Sequence, residues 1–232
     1  MGIEGESGGE RDSGAYLAGA RAGLPFALAT FVLGISFGVL ARSLGWGMVA
    51  PIVFSLITFS GSAQFAVVAV LGAGGGAPAA IVAAVLLNSR FLPMGVAVAP
   101  FLKGGPLRRA LEGQAVIDAS WALASRGGGR FDREFMMGAT APQVAAWIGG
   151  TVVGVLASGV VGDAERLGLD AIFPAFFVAL LADELRSGGQ TVAAALIAAA
   201  LSLALIPFVP PGVPVIAACA GALLGLIKRR SS

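Results

Sequence analysis

Histidine is absent from the 232 residues, and cysteine and tyrosine occur once each. With no histidine and with Cys219 alone, the chain cannot form a disulfide within itself, a Ser/His dyad or a His/Cys zinc site. Charge is scarce as well, at 12% of residues against about a quarter in an ordinary soluble domain. The 13 acidic residues all fall in tails or at breaks between apolar runs, so the runs hold no carboxylate. No Ser-Lys or paired-Asp motif lies inside a run, which argues against an intramembrane enzyme. Gly74, Gly75 and Gly76 lack the following Lys-Ser/Thr of a P-loop and read as a turn, so ATP-driven transport by this chain is unsupported. A net charge of +2 is too small to imply nucleic acid. No metal site and no cofactor is expected.

What the chain does have is hydrocarbon: 57% of residues are hydrophobic and the mean hydropathy is +0.89. That composition predicts an all-α integral membrane protein in a lipid bilayer. Seven apolar runs suggest about seven transmembrane helices: Leu24 to Ala41, Trp46 to Leu71, Pro78 to Leu102, Gly138 to Val161, Leu169 to Ala182, Gln190 to Ile206 and Gly212 to Ile227. The expected order is a disordered tail over 1–22, a three-helix repeat over 23–102 and a cytoplasmic amphipathic loop over 103–137. A second three-helix repeat over 138–206 and a final helix with a basic tail over 207–232 follow. The acidic start "MGIEGESGGERDSG" lacks the basic and apolar regions of a cleaved signal.

Two stretches carry the repeat. "GISFGVLA" at Gly34 to Ala41 matches "GTVVGVLA" at Gly150 to Ala157 at five of eight positions. Each is followed by Leu-Gly and, seven residues after that Leu, a proline: Leu44 and Pro51 in one copy, Leu167 and Pro174 in the other. Copies that begin three spans apart enter the membrane in opposite directions, so inverted three-helix repeats with broken helices and a midplane site are expected. With seven spans, an N-terminus outside and a C-terminus in the cytoplasm, eleven Lys and Arg fall inside, six of them between Lys103 and Arg133, against three outside.

Polar residues interrupt two runs. Ser60, Gly61, Ser62 and Gln64 sit within the 26-residue run from Trp46. A helix break there would free backbone groups able to hold an amino acid's carboxylate or ammonium; the alternative is a close-packing face with Gln64 bonded to a neighbouring helix. Asn88 and Arg90 stand in "LLNSRFLPMGVAVAP". Arg at a bilayer centre costs about 2.5 to 3.5 kcal/mol and must face protein or water. Its planar fork suits a substrate carboxylate; otherwise it binds helix-end carbonyls or Asn88, or snorkels to an interface.

"GISFGVLARSLGW", "FSGSAQFAVVAVLGAG" and "LNSRFLPMGVAVAP", in that order, resemble the AzlC family, the large subunit of bacterial branched-chain amino acid exporters. The resemblance implies a plasma (inner) membrane permease exporting valine, leucine, isoleucine and related compounds. It also implies drive by the proton gradient and a small four-helix partner subunit of the AzlD family. It favours a substrate site at Ser60, Gly61, Ser62, Gln64, Asn88 and Arg90. Two positions depart from the family pattern: Phe91 stands where many relatives have His, and Asp118 is followed by Ala119 where they have an Asp-Glu pair. Asp118 lies on the part of the central loop that resembles that acidic motif and is the candidate proton carrier; Asp183 and Glu184 are the other acidic residues near a run. The competing reading is a passive channel or scaffolding subunit without its own transport cycle, which uphill flux would separate from an exporter.

Overall fold

The computed structural model describes residues 4–161 and, beyond them, 178, 181–182, 185–186 and 189–209, with side chains described from Asp12 onward. The described residues are helical, as the composition predicts: α1 (Glu4–Ser43), α2 (Val49–Ile57), α3 (Gly61–Gly72), α4 (Ala77–Asn88), α5 (Phe91–Val98, extended by a 3-10 turn, Ala99–Phe101), α6 (Pro106–Gly113), α7 (Asp118–Ala124), α8 (Arg133–Val161) and α9 (Gly189–Leu205). The fifth run for most of its length, the final helix and the second copy's Leu167 and Pro174 lie outside the described residues.

Among the described residues two helices are long and apolar enough to cross a membrane: Asp12–Ser43 of α1, with 32 residues, and Arg133–Gly159 of α8, with 27. A third span exists if Ala77–Asn88 and Phe91–Phe101 are counted together across their break. The described part is therefore a membrane protein of fewer full spans than its apolar runs suggest.

The chain divides into two units, one of residues 1–42, 46–61 and 89–159 and the other of 43–45, 62–88 and 160–232. The first is organised by α1 and α8, which touch through glycine. A Cβ added at Gly19, Gly23, Gly34, Gly38, Gly138, Gly150 or Gly154 would come closer than 3.0 Å to a backbone carbonyl of the opposite helix. Small residues four apart allow such an approach where lipid offers no hydrophobic drive for helices to associate. The repeated octapeptides form the upper part of this seam reciprocally. Gly34 abuts the Trp147 carbonyl and Gly150 the Phe31 carbonyl; Gly38 abuts that of Thr151 and Gly154 that of Ile35. In every case the carbonyl lies three residues before the partner glycine. Arg42 Nε donates to Ser158 Oγ at 3.2 Å, again 116 residues apart, the separation of Gly34 from Gly150.

These contacts correct the expected direction. From Gly19 with Phe135, through Gly38 with Thr151, to Arg42 with Ser158, numbers rise together on both helices, so α1 and α8 run parallel and not inverted. The disordered tail is corrected too: α1 begins at Glu4, and from Tyr16 its backbone is fixed against Gly138 and Phe135 of α8.

The second apolar run is not one continuous helix. It breaks at residues 58–60 into helices of nine and 12 residues. At 1.5 Å per residue these are about 14 and 18 Å long, each short of a core of about 30 Å. The chain passes Leu44 on leaving α1 and is back at its side chain at Gly72, where a Cβ would lie 3.5 Å away. α3 and α4 then pack on small residues, with Ala66, Val70, Ala80 and Ala83 forming the buried core of the second unit.

Candidate functional site

In the first unit α2 descends beside α8. Thr151 Oγ1 donates to the Trp147 carbonyl at 2.9 Å, which leaves its lone pairs for the Ser55 hydroxyl at 3.0 Å. Phe37 stacks on Trp147 at 5.9 Å between ring centroids and meets Phe54 at 6.2 Å, which fixes the depth of α2. The helix then ends: the Thr58 N–H donates to the Phe54 carbonyl at 2.8 Å, and the Ser60 N–H folds back to the Thr58 carbonyl at 2.9 Å. Ser60 is buried, and Gly61 faces the Trp147 ring, whose nearest carbon would be 3.1 Å from an added Cβ. The break expected at the small-polar cluster is present, and a side chain added at Gly61 would press on the indole.

A second break faces it. Between α6 and α7 residues 114–117 leave the helix, and Val116 and Ser120 are buried. The Ala115 carbonyl accepts hydrogen bonds from Ser120 Oγ and from Thr140 Oγ1 of α8, both at 2.8 Å. The central loop thus dips into the unit. Val116, Ala124 and Phe131 join Val98 and Met136 in a buried core there. Between the tip of α2 and the α6–α7 turn lies a cavity of about 590 Å³ walled by α8 from Met137 to Ala145.

The structure brings Arg90 and Asp118 together, 28 residues apart in sequence: Arg90 Nη2 donates to Asp118 Oδ2 at 2.9 Å, and the guanidinium lies 4.8 Å from the centre of the Phe91 ring. Arg90 stands at the break between α4 and α5, and Asp118 is the first residue of α7. A carboxylate supplied by the dipping loop thus balances the arginine set in apolar sequence. Ser60, Gly61, Arg90 and Asp118 belong to the first unit; Ser62, Gln64 and Asn88 belong to the second, where Ser62 and Gln64 are buried. Asp183 and Glu184 lie outside the described residues.

The end of the first unit below this site is charged. Lys103 bridges Asp12 at 3.6 Å and Glu134 at 3.3 Å, Arg126 pairs with Asp132 at 3.1 Å, and Arg133 binds both Glu112 and Glu134. The Arg133 hydrogen bond, against the cost of burial and helped by the Lys103 N–H and Arg108, lowers the Glu112 carboxyl from 4.5 to about 2. The Asp12–Lys103 bridge also places the start of α1 at the same end as the basic loop. An outside N-terminus with that loop in the cytoplasm is therefore corrected: both share one face.

The family of AzlC proteins matches residues 25–161, more than half of the chain. The chain belongs to the AzlC family. Among similar proteins is the inner membrane protein YgaZ of Escherichia coli K12, 27% identical over 207 residues that cover 83% of each chain. Another is an uncharacterized membrane protein of Archaeoglobus fulgidus, 30% identical over 205 residues, 86% of this chain and 89% of the relative. No solved structure gives a significant match. Family and relatives together indicate a membrane protein of transporter type.

The sequence reading missed the cavity and the break at 114–117. "EGQAVIDASW" carried the only signal, a helix-ending Gly113 followed by apolar Ala115 and Val116 in a loop otherwise rich in charge.

Proposed function

We propose that this AzlC protein is an inner-membrane secondary transporter that exports branched-chain amino acids, coupled to protons and working with a small AzlD-like subunit. The observation that carries the reading is the Arg90–Asp118 pair at two helix breaks. A guanidinium at the end of a broken helix can hold a carboxylate through parallel hydrogen bonds, and here Asp118 already stands in that place as a competitor. In the cycle the zwitterion binds from the cytoplasm with its carboxylate in Asp118's place on Arg90 and its ammonium against the released Asp118. A proton from outside then neutralises Asp118 and releases the substrate outward; the empty, protonated carrier turns inward, loses the proton to the cytoplasm and restores the Arg90–Asp118 pair, so one proton enters for each substrate exported. Arg90 stays protonated throughout.

The positive-inside rule orients the cycle. Lys103, Arg108, Arg109, Arg126, Arg130 and Arg133 gather on the loop that shares a face with the start of α1. That face is assigned to the cytoplasm, with the N-terminus inside. Membrane vesicles loaded with labelled leucine test the function: efflux against a leucine gradient should require an inward proton gradient. Flux that only ever runs downhill would make the protein a passive channel.

A further inference from the structure

We infer that Thr140 is the positioning residue that seats Asp118 on Arg90: its hydroxyl latches the tip of the central loop to α8 through the Ala115 carbonyl and releases it by turning to the Met136 carbonyl. The inference rests on the exporter reading above, in which Asp118 leaves Arg90 and returns. Thr140 Oγ1 lies 2.8 Å from the Ala115 oxygen and 3.1 Å from the Met136 oxygen of its own helix. A hydroxyl carries one hydrogen, so it donates to one of these carbonyls at a time. The change from one to the other is the rotation of an O–H bond, with the threonine rotamer and α8 unmoved.

The Ala115 carbonyl can do without Thr140. It has two lone pairs and three donors within reach: Thr140 Oγ1, Ser120 Oγ at 2.8 Å and the Ile117 N–H at 3.1 Å. The last two belong to the loop itself and fill both lone pairs when the Thr140 hydrogen turns to Met136. Ser120 and Thr140 are buried, yet neither hydroxyl nor the carbonyl is left unpaired in either position. Thr140 and Ala115 both line the cavity of about 590 Å³, which gives the tip open space on that side. Glu112, on α6, is held by Arg133, so the loop stays anchored behind its tip. Asp118 follows Ala115 by three residues and opens α7, whose first turn Ser120 joins to Ala115. With Thr140 on Ala115 the carboxylate is held against Arg90; with Thr140 on Met136 it is free to yield that place to the substrate.

The two hydroxyls should then act in opposite directions, which a merely structural pair would not do. Thr140→Val removes the closed position while Ala115 keeps two donors, so Asp118 competes less well for Arg90. Ser120→Ala leaves Ala115 with the Ile117 N–H and Thr140 alone, so release would strip a buried lone pair and the latch stays shut. The test is exchange of labelled leucine in vesicles holding the full-length protein, read as half-saturation and maximal rate. Thr140→Val should lower the half-saturation concentration about three- to tenfold and slow the maximal rate, because Asp118 returns more slowly. Ser120→Ala should raise half-saturation by a similar factor, and Thr140→Ser should restore wild-type values. Shifts of the same sign, or an unchanged half-saturation in folded variants, would overturn the latch. Monodisperse elution and unchanged helical content show folding, and if Thr140→Val does not fold, the Ser120→Ala shift alone decides. The tip is also read without substrate. In a Cys219→Ser background of the purified protein, Ala119→Cys should react with a maleimide faster beside Thr140→Val and slower beside Ser120→Ala; equal rates would overturn the latch. Opposite labelling shifts in a protein whose wild type moves no leucine uphill would sustain the latch and remove the exporter reading.

Discussion

The α1–α8 seam and the pair of helix breaks beside it solve opposite problems in one unit. Along the seam, glycines at matching positions bring backbone against backbone, with no side chain between Gly38 and the Thr151 carbonyl or between Gly154 and the Ile35 carbonyl. The helices there are uninterrupted, and nothing polar is offered to a ligand. At the breaks the reverse holds. Residues 58–60 and 114–117 give up helical hydrogen bonds, and side chains such as Thr140 and Ser120 take over part of the lost bonding. Backbone polar groups without helical partners are tolerated at membrane depth only inside protein or beside a water-filled cavity. The rigid seam is what permits the irregular part: α8 supplies Gly150 and Gly154 to one and Met137 to Ala145 to the other.

The comparison breaks first, and hardest, at the seam. Gly154→Leu should cost at least about 3 kcal/mol, because its Cβ meets the Ile35 backbone, which cannot swing aside as a side chain can. The folded fraction after detergent extraction should collapse; a normal yield would mean the helices can part without loss. Gly61→Leu, at the break, should behave differently. Its Cβ meets only the Trp147 ring, so the protein should still insert and fold while leucine export falls to background. Poor folding with normal transport by the surviving molecules would make Gly61 a packing residue.

Arg90→Lys comes next in size. Lysine keeps the charge but loses the fork, so apparent affinity for leucine should weaken ten- to a hundredfold, roughly 1.5 to 3 kcal/mol. An unchanged half-saturation concentration in the efflux assay would remove the carboxylate role. The smallest effect is expected at the charged end. Glu112 titrates lower in the folded protein than its usual 4.5, so its link to Arg133 stabilises above that value and is lost as pH falls toward about 2. Limited proteolysis of the 103–132 segment should therefore be constant from neutral pH down to about 4.5 and accelerate below it, and Glu112→Gln should show the accelerated rate already at neutral pH.

Topology sharpens the same comparison. In a Cys219→Ser background, Ser13→Cys and Ser125→Cys should label from the cytoplasm and Ser43→Cys from outside. Labelling of Ser13→Cys and Ser125→Cys from opposite faces would contradict the parallel pairing of α1 and α8.

Much of this was legible in particular residues. The octapeptide repeat at Gly34 and Gly150 pointed to related helices, and those helices do meet through it. Their direction was not legible, because Gly-x-x-x-Gly contacts suit parallel and antiparallel helices alike and direction depends on how often the chain crosses in between. That number was obscured by Trp46 to Leu71, whose 26 residues read as one span, although the helix breaks at Thr58 to Ser60. Hydropathy measures solubility in lipid and is blind to a break. The break at Gly61 was visible as small and polar residues in an apolar run. The Arg90–Asp118 pair was not, since each residue stood out alone and only the inward dip of the loop joins them. The cavity left no mark, because Ala, Val and Met line it as they would line any packed helix.

The exporter reading turns on whether Asp118 carries the proton that Arg90's exchange of partners requires. Asp118→Asn in leucine-loaded vesicles, compared with wild type for proton-driven efflux and for leucine exchange at equal concentrations, measures this most directly. The account predicts that the Asn variant no longer moves leucine uphill, whatever the proton gradient, while exchange continues at a rate near wild type. An Asn variant that still concentrates leucine against its gradient would contradict it and move the search for the carrier to a carboxylate of the small partner subunit.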